Sequence, residues 1–322
     1  MENLLEVQNL KKYFVVPSGY LHAVDDVSFS IREGETLGVV GESGCGKSTL
    51  GRTILRLHEP TSGRIIYDGM DLCSFHKSEM LQIRKEMQII FQDPYASLDP
   101  RFTVSQIIEE PLILHKVYKT VEARKQRVLE LMDLVGLSKQ YYNAYPHEFD
   151  GGKRQRIVIG RALAVTPRFI VCDEPVSALD VSVQAQILNL IMELQEKLKL
   201  TYIFISHDLS VVKHISDNIL VMYLGRVIEK APKNELFRSP HHPYTMALLS
   251  AIPSVKVREK RQRIILKGEI SSPVNPGKGC RFANRCSYAD QKCFEHEPAL
   301  TQCGTDHYVA CHKNIQSIKG GK

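Results

Sequence analysis

The chain has 322 residues, of which 43% are apolar and 24% charged, the composition of an ordinary globular protein with core enough for about two domains. Its 42 basic residues against 36 acidic ones leave a charge of +6, and no basic and aromatic residues interleave as in a nucleic-acid module, so no nucleic acid partner is expected. Residues 1–8 lack the charged start and apolar run of a secretory leader, and no stretch approaches the roughly 18 apolar residues of a membrane span. Work at a membrane would need another chain for the crossing.

Residues 4–7 form a short strand candidate, 10–16 follow, and 23–31 alternate well enough for a second strand. Tyr13 and Phe14 sit where an aromatic ring stacks on an adenine or simply fills a core. The apolar run 36–40 reads as a buried strand, residues 50–55 as a helix. Between them Gly41-Glu42-Ser43-Gly44-Cys45-Gly46-Lys47-Ser48-Thr49 matches the P-loop pattern G-x-x-x-x-G-K-[ST]. Glycines let backbone N–H groups face phosphate oxygens, the helix start adds positive potential, Lys47 supplies a point charge, and the Ser48 hydroxyl suits Mg2+.

Residues 87–91 make a β-type run ending at Gln92, whose carboxamide could coordinate Mg2+, orient a water or cap a loop. From about residue 96 to 157 apolar positions such as Val128, Leu129 and Met132 recur at helical spacing, the pattern of a helical insertion. Near its end Gly151 and Gly152 precede a helical run, which makes either a turn or a second phosphate-approach site. The apolar strand 169–172 delivers Asp173 and Glu174 to its end, where parallel sheets bind ligands. Asp173 suits Mg2+ and Glu174 suits the attacking water. A further strand, 201–206, delivers His207, which could bond a terminal phosphate.

Together these residues resemble an ABC-type ATPase: P-loop, glutamine loop at Gln92, signature region at 147–156, acidic pair Asp173 and Glu174, D-loop at 177–180, and switch His207, in that order. Residues 92–101, the run Ser239-Pro240-His241-His242-Pro243-Tyr244-Thr245 and the cysteine-rich tail resemble the ATP-binding subunits of oligopeptide and dipeptide importers, and 279–282 lean toward the F-type member of the pair. The resemblance implies an α/β fold with a RecA-like P-loop core, an antiparallel β subdomain, a helical insertion and a small cysteine-rich C-terminal metal domain. The boundaries expected are 1–95 with 158–238, 96–157, and 239–322.

It also implies the function: ATP hydrolysis powering peptide uptake, on the cytoplasmic face of the membrane. The expected partners are a paralogous ATPase in a heterodimer, two transmembrane permease subunits and, indirectly, an extracytoplasmic peptide-binding protein. ATP would lie between the P-loop of one ATPase and the signature loop of the other. Glu174 would be the catalytic base, His207 would touch the γ-phosphate, Gln92 and Ser48 would hold Mg2+, Asp180 would bridge the dimer, and Tyr13 or Phe14 would stack on adenine. A regulatory nucleotide-binding module with little turnover and a soluble ATPase acting on ribosomes or DNA are the alternatives.

The family signature reads LSGGQ, whereas Phe149-Asp150-Gly151-Gly152-Lys153 stands here. An ionised Asp150 in place of the serine should weaken closure on the γ-phosphate unless Lys153 or Mg2+ offsets it. A substitution introduced to trap one state would read the same way.

Five of the eight cysteines, Cys280, Cys286, Cys293, Cys303 and Cys311, lie within 32 residues. In a reducing compartment such clustering argues for metal. The C-x-x-C knuckles of structural zinc are missing, so an iron–sulfur cluster suits the loose spacing better, with Zn2+ or free thiols as the alternatives. The resemblance implies that the cluster is [4Fe-4S], held by Cys280, Cys286, Cys293 and Cys311, and leaves Cys303 spare.

Overall fold

The computed structural model describes residues 3–252, 264–266, 268 and 271–313. The basic run 255–263, whose composition suits a solvated face or a contact with lipid headgroups or an acidic partner, lies outside them.

In chain order the strands used below are β1 (Asn3–Val16), β2 (Gly19–Arg32), β3 (Thr36–Val40), β4 (Ser62–Tyr67), β5 (Met70–Asp71), β6 (Met87–Ile90), β7 (Phe169–Asp173), β8 (Thr201–Ser206), β9 (Asn218–Tyr223), β10 (Arg226–Pro232), β11 (Thr301–Gly304) and β12 (His307–Val309). The helices are α1 (Lys47–Ile54), α2 (Lys77–Glu86), α3 (Pro94–Ser97), α4 (Val104–Leu114), α5 (Val121–Leu134), α6 (Gly151–Leu163), α7 (Val181–Leu198), α8 (Leu209–Ile215), α9 (Lys233–Arg238), α10 (Pro243–Ser250) and α11 (Gln291–Glu295).

The chain divides into two compact units. One takes in Asn3–Ile31, Thr36–Cys73 and the described residues from Ser206 onward. Its four-stranded sheet has the order β2-β1-β4-β5, with β4 antiparallel to both β1 and β5. The two short runs expected before residue 16 are one strand, because a bulge joins them. Asn9 adopts φ 46°, and the register against β4 shifts between Gln8 and Lys11. In the same unit β3, buried along its whole length, pairs parallel with β9. Strand β9 turns back antiparallel into β10, and β12 pairs with β10 and with β11. The tail after residue 239 therefore contributes two strands to the sheet that carries β3.

The other unit contains Arg32–Glu35 and Ser74–Ile205. Strands β6, β7 and β8 run parallel in it, and β7 and β8 are buried at every position, the mark of strands covered on both faces. Thr103 opens α4 with a capping box to Gln106, and Thr120 and Asp150 cap α5 and α6. The helical region continues past residue 157 to Leu163, since Ile157, Val158, Ala162 and Leu163 keep α6 buried. No helix among the described residues is long and apolar enough to cross a membrane.

Candidate functional site

The P-loop joins β3 to α1 and lies in the first unit. Gly46 stands at the N-cap of α1 with φ 101°, and a Cβ there would come within 1.9 Å of the Ala23 carbonyl oxygen. At Gly41 a Cβ would meet the Met222 carbonyl at 2.2 Å. These approaches, not flexibility, are what require glycine. No side chain caps α1 and its first turn holds no acid, so its N–H groups and dipole face outward for an anion. Ser43 and Gly44 are exposed, and Ser48 and Thr49 half-buried. Lys47 is 4% exposed and donates Nζ hydrogen bonds to the Gly41 carbonyl (2.8 Å) and the Glu42 carbonyl (3.0 Å). Neutral carbonyls are weaker partners for an ammonium than phosphate oxygens, so these bonds hold Lys47 ready without satisfying it fully. Cys45 is buried, and burial pushes its thiol up, which makes it inert packing.

A charge network that sequence reasoning missed holds this loop. Arg285 grips the Glu42 carboxylate with both terminal nitrogens, at 2.7 and 3.1 Å, and the Tyr244 hydroxyl accepts from Glu42 N at 2.8 Å. Behind it, Asp25 accepts from the Tyr13 hydroxyl (2.5 Å) and from Arg281, and meets His22 Nδ1 at 3.0 Å. Burial opposes ionisation of Asp25, but the bonds from Tyr13 and His22 and the Arg281 and Arg226 guanidiniums outweigh it and hold the carboxyl well below the usual range. Burial and that carboxylate push the Tyr13 phenol up. The Tyr13 ring stacks on His22, with centroids 3.9 Å apart, while Phe14 meets His58 edge-on at 5.5 Å. The one sequence signal was the pair of arginines, 281 and 285, interleaved with cysteines; nothing marked their partners.

The acidic pair lies in the other unit. Asp173 ends β7 fully buried. Glu174 follows at φ 48°, a left-handed conformation that costs about 1–3 kcal/mol for a residue with a side chain. The turn is fixed from both sides: Glu174 N donates to the Ile205 carbonyl at 3.1 Å, and the Glu174 carbonyl accepts from Ser177 N at 3.2 Å. Across from it Gln92 Nε2 donates to Glu174 Oε2 at 3.1 Å, joining two predicted site residues 82 positions apart. That bond aims the carboxamide oxygen of Gln92 elsewhere, and it is a hard donor of the kind Mg2+ takes.

In the same unit Asp150 caps α6, accepting from Lys153 N at 2.8 Å, and Lys153 Nζ donates to its other oxygen, also at 2.8 Å. That side-chain bond and the Lys153 N–H hold Asp150 below the ordinary carboxylate value. The signature glycines are close-packed: a Cβ on Gly151 would lie 2.9 Å from Leu179, and one on Gly152 2.7 Å from Val183. Asp180 is exposed at the start of α7. Of the predicted residues, then, the P-loop, Tyr13, Phe14 and the exposed His207 belong to one unit, and Gln92, Asp150, Gly151, Gly152, Asp173, Glu174 and Asp180 to the other.

A glycine-fixed anion loop at a helix start, with a buried strand ending in Asp-Glu and a glutamine on that glutamate, defines a P-loop ATPase of the ATP-binding cassette class. The ABC transporter pattern matches residues 24–177, and the oligopeptide/dipeptide transporter C-terminal region matches 228–293. The chain is similar to the oligopeptide transport ATP-binding protein AppF of Bacillus subtilis, 52% identical over 97% of each chain. It is 51% identical to the dipeptide transport ATP-binding protein DppF of Haemophilus influenzae over 96% of each. Among solved structures it resembles the ATP-binding cassette MJ0796 bound to ADP and Pi, with TM-score 0.65 and 29% identity over 71% of this chain and 98% of that one. The chain belongs to the ABC transporter family, among its oligopeptide and dipeptide ATP-binding proteins.

Proposed function

We propose that this chain is the ATP-hydrolysing subunit of a membrane importer of dipeptides or oligopeptides. The observation that carries the reading is that one chain joins an ABC cassette at 24–177 to an oligopeptide/dipeptide C-terminal region at 228–293. The partners are a paralogous ATPase, two permease subunits that supply the membrane crossing, and a peptide-binding protein on the far side. The chain sits at the cytoplasmic face. Its working divisions are a nucleotide-binding core (1–95 and 158–238), a helical signature region (96–157) and a cysteine-rich tail (239–322).

Lys47 and the α1 N-terminus bind the phosphates, with Ser43, Gly44, Cys45, Gly46 and Thr49 lining the loop. Tyr13 or Phe14 serves the adenine. The residues proposed for Mg2+, Ser48, Gln92 and Asp173, all offer oxygen, which fits a hard cation. Glu174, kept in place by Gln92, takes the proton of the attacking water, and His207 donates to the γ-phosphate. Asp150, Gly151 and Gly152 complete the partner's site, and Asp180 lies at the dimer contact. The segment after Gln92 faces the permease; its exposed Tyr95 is stiffened by the Arg154 guanidinium 3.9 Å from its ring.

Cys280, Cys286, Cys293 and Cys311 hold a [4Fe-4S] cluster in this reading. Their thiols gather: Cys280 N donates to the Cys293 carbonyl at 2.7 Å, and burial, with the other three thiols adding to it, pushes Cys280 up to about 11. Burying several thiolates together demands a compensating cation.

The test is reconstitution with the paralogous ATPase and both permeases in vesicles, with the peptide-binding protein added. ATP-dependent peptide uptake is expected, and Glu174→Gln should lower ATP turnover by at least about 100-fold while binding persists. Turnover without peptide uptake would sink the substrate assignment.

A further inference from the structure

Outside the nucleotide residues and the four gathered cysteines, the structure joins three donors that no part of the ATPase reading uses. His241 lies between α9 and α10, Cys303 on β11 and His307 at the start of β12. Their ligand atoms all lie within 4.8 Å of one another. Cys303 is exposed, His241 half-buried and His307 4% exposed, so the trio opens to solvent through its thiol and is walled in behind.

Behind the trio stands Glu229, fully buried on β10. Its Oε1 meets His307 Nε2 at 2.8 Å and accepts from His241 N at 2.6 Å, and its Oε2 accepts from His242 N at 2.9 Å. One carboxylate thus fixes both the ring of His307 and the backbone that presents His241. Because Glu229 holds Nε2, a metal would be taken by His307 at Nδ1. This carboxylate–histidine arrangement is what orients metal-bound imidazoles and raises their basicity. The Cys303 thiol lies against the His307 carbonyl at 3.4 Å.

We propose that His241, Cys303 and His307 bind a zinc ion, with Glu229 orienting His307. Two imidazoles and a thiolate match the borderline softness of Zn2+, and three protein ligands leave a fourth position for water at the open side. The charges close: a dication is balanced by one thiolate and one buried carboxylate. On binding, the Cys303 thiol loses its proton to solvent and the sulfur–zinc bond replaces it. The ion ties the β11–β12 hairpin to the loop before α10, segments about 60 residues apart in sequence.

The test is site-resolved, so metal at the other cysteines does not confuse it. The full chain is treated with iodoacetamide with and without Zn2+, and the alkylation rate of Cys303 is read by peptide mass spectrometry. Zinc should slow Cys303 by more than about tenfold, since a metal-held thiolate is not free to react. His241→Gln should abolish the protection, and Glu229→Gln should weaken the apparent zinc affinity about 10- to 100-fold. An unchanged Cys303 rate in the wild type, or equal protection in His241→Gln, overturns the site.

Discussion

Asp150 combines two roles that its sequence position shows only in part. In the role proposed for its loop it would bring negative charge toward a phosphate; as the N-cap of α6 it accepts the Lys153 N–H, and the Lys153 ammonium covers its outer oxygen. Both side chains are well exposed, so the ion pair is screened by solvent and adds little to stability. Serine caps a helix about as well as aspartate. Asp150→Ser should therefore leave the urea midpoint nearly unchanged while raising ATP turnover of the proposed complex with the paralogous ATPase. Lys153→Gln, which uncovers the carboxylate, should lower turnover. No change in turnover from either substitution would mean that this loop does not meet the phosphate. The folded Asp150 titrates below its unfolded value, so the pair persists at neutral pH and is lost only as pH falls through the depressed folded value.

The start of α10 shows how an element's end can titrate. His242, fully buried, accepts the Tyr244 N–H at Nδ1 (3.1 Å), and Pro243 fills the next position, where no N–H is needed. Burial pushes His242 down to about 4, with Glu229 opposing in part. Its folded value lies below the unfolded 6.5, so the unfolded chain binds more protons between the two and stability falls as pH drops from about 6.5 toward 4. The full loss is about 3 kcal/mol, and the cap goes with it. His242→Asn keeps the cap without the titration, and urea melts at pH 7 and pH 5 should show a smaller difference for it than for the wild type. Elements of this kind were legible in different degrees. The apolar runs of β3, β7 and β8 could be read directly because both faces are buried, so no polar residue interrupts them. Strand β1 read as two pieces, because a left-handed Asn9 breaks the alternation without breaking the strand.

Across the whole chain, legibility falls with sequence separation. The P-loop glycines and the Asp173-Glu174 pair could be read because their chemistry depends on neighbours in sequence. Arg285 meets Glu42 across 243 positions and Arg281 meets Asp25 across 256, and no periodicity encodes such pairs. Yet these contacts connect the cysteine-bearing tail to the nucleotide loop within one unit. The Arg285 side chain is 9% exposed and that of Glu42 25%, so the pair is shielded and bidentate, the geometry in which such a pair counts. If Arg285 were truncated, the Glu42 carboxylate would keep its charge in a loop built for phosphate and repel the ligand. Arg285→Ala should weaken ATP binding by about 1–3 kcal/mol, or about 5- to 150-fold, measured by calorimetry on the Glu174→Gln background to prevent turnover. Glu42→Gln alone should change affinity little, and adding it to Arg285→Ala should restore most of the loss. If the double variant is as weak as Arg285→Ala, the guanidinium acts by holding the tail and not by screening Glu42. Urea melts would then show the tail loosened in both variants. Because Cys286 follows Arg285 directly in the chain, if the four cysteines hold metal as proposed, a chelator that strips it should reproduce the Arg285→Ala defect, and Glu42→Gln should relieve that as well.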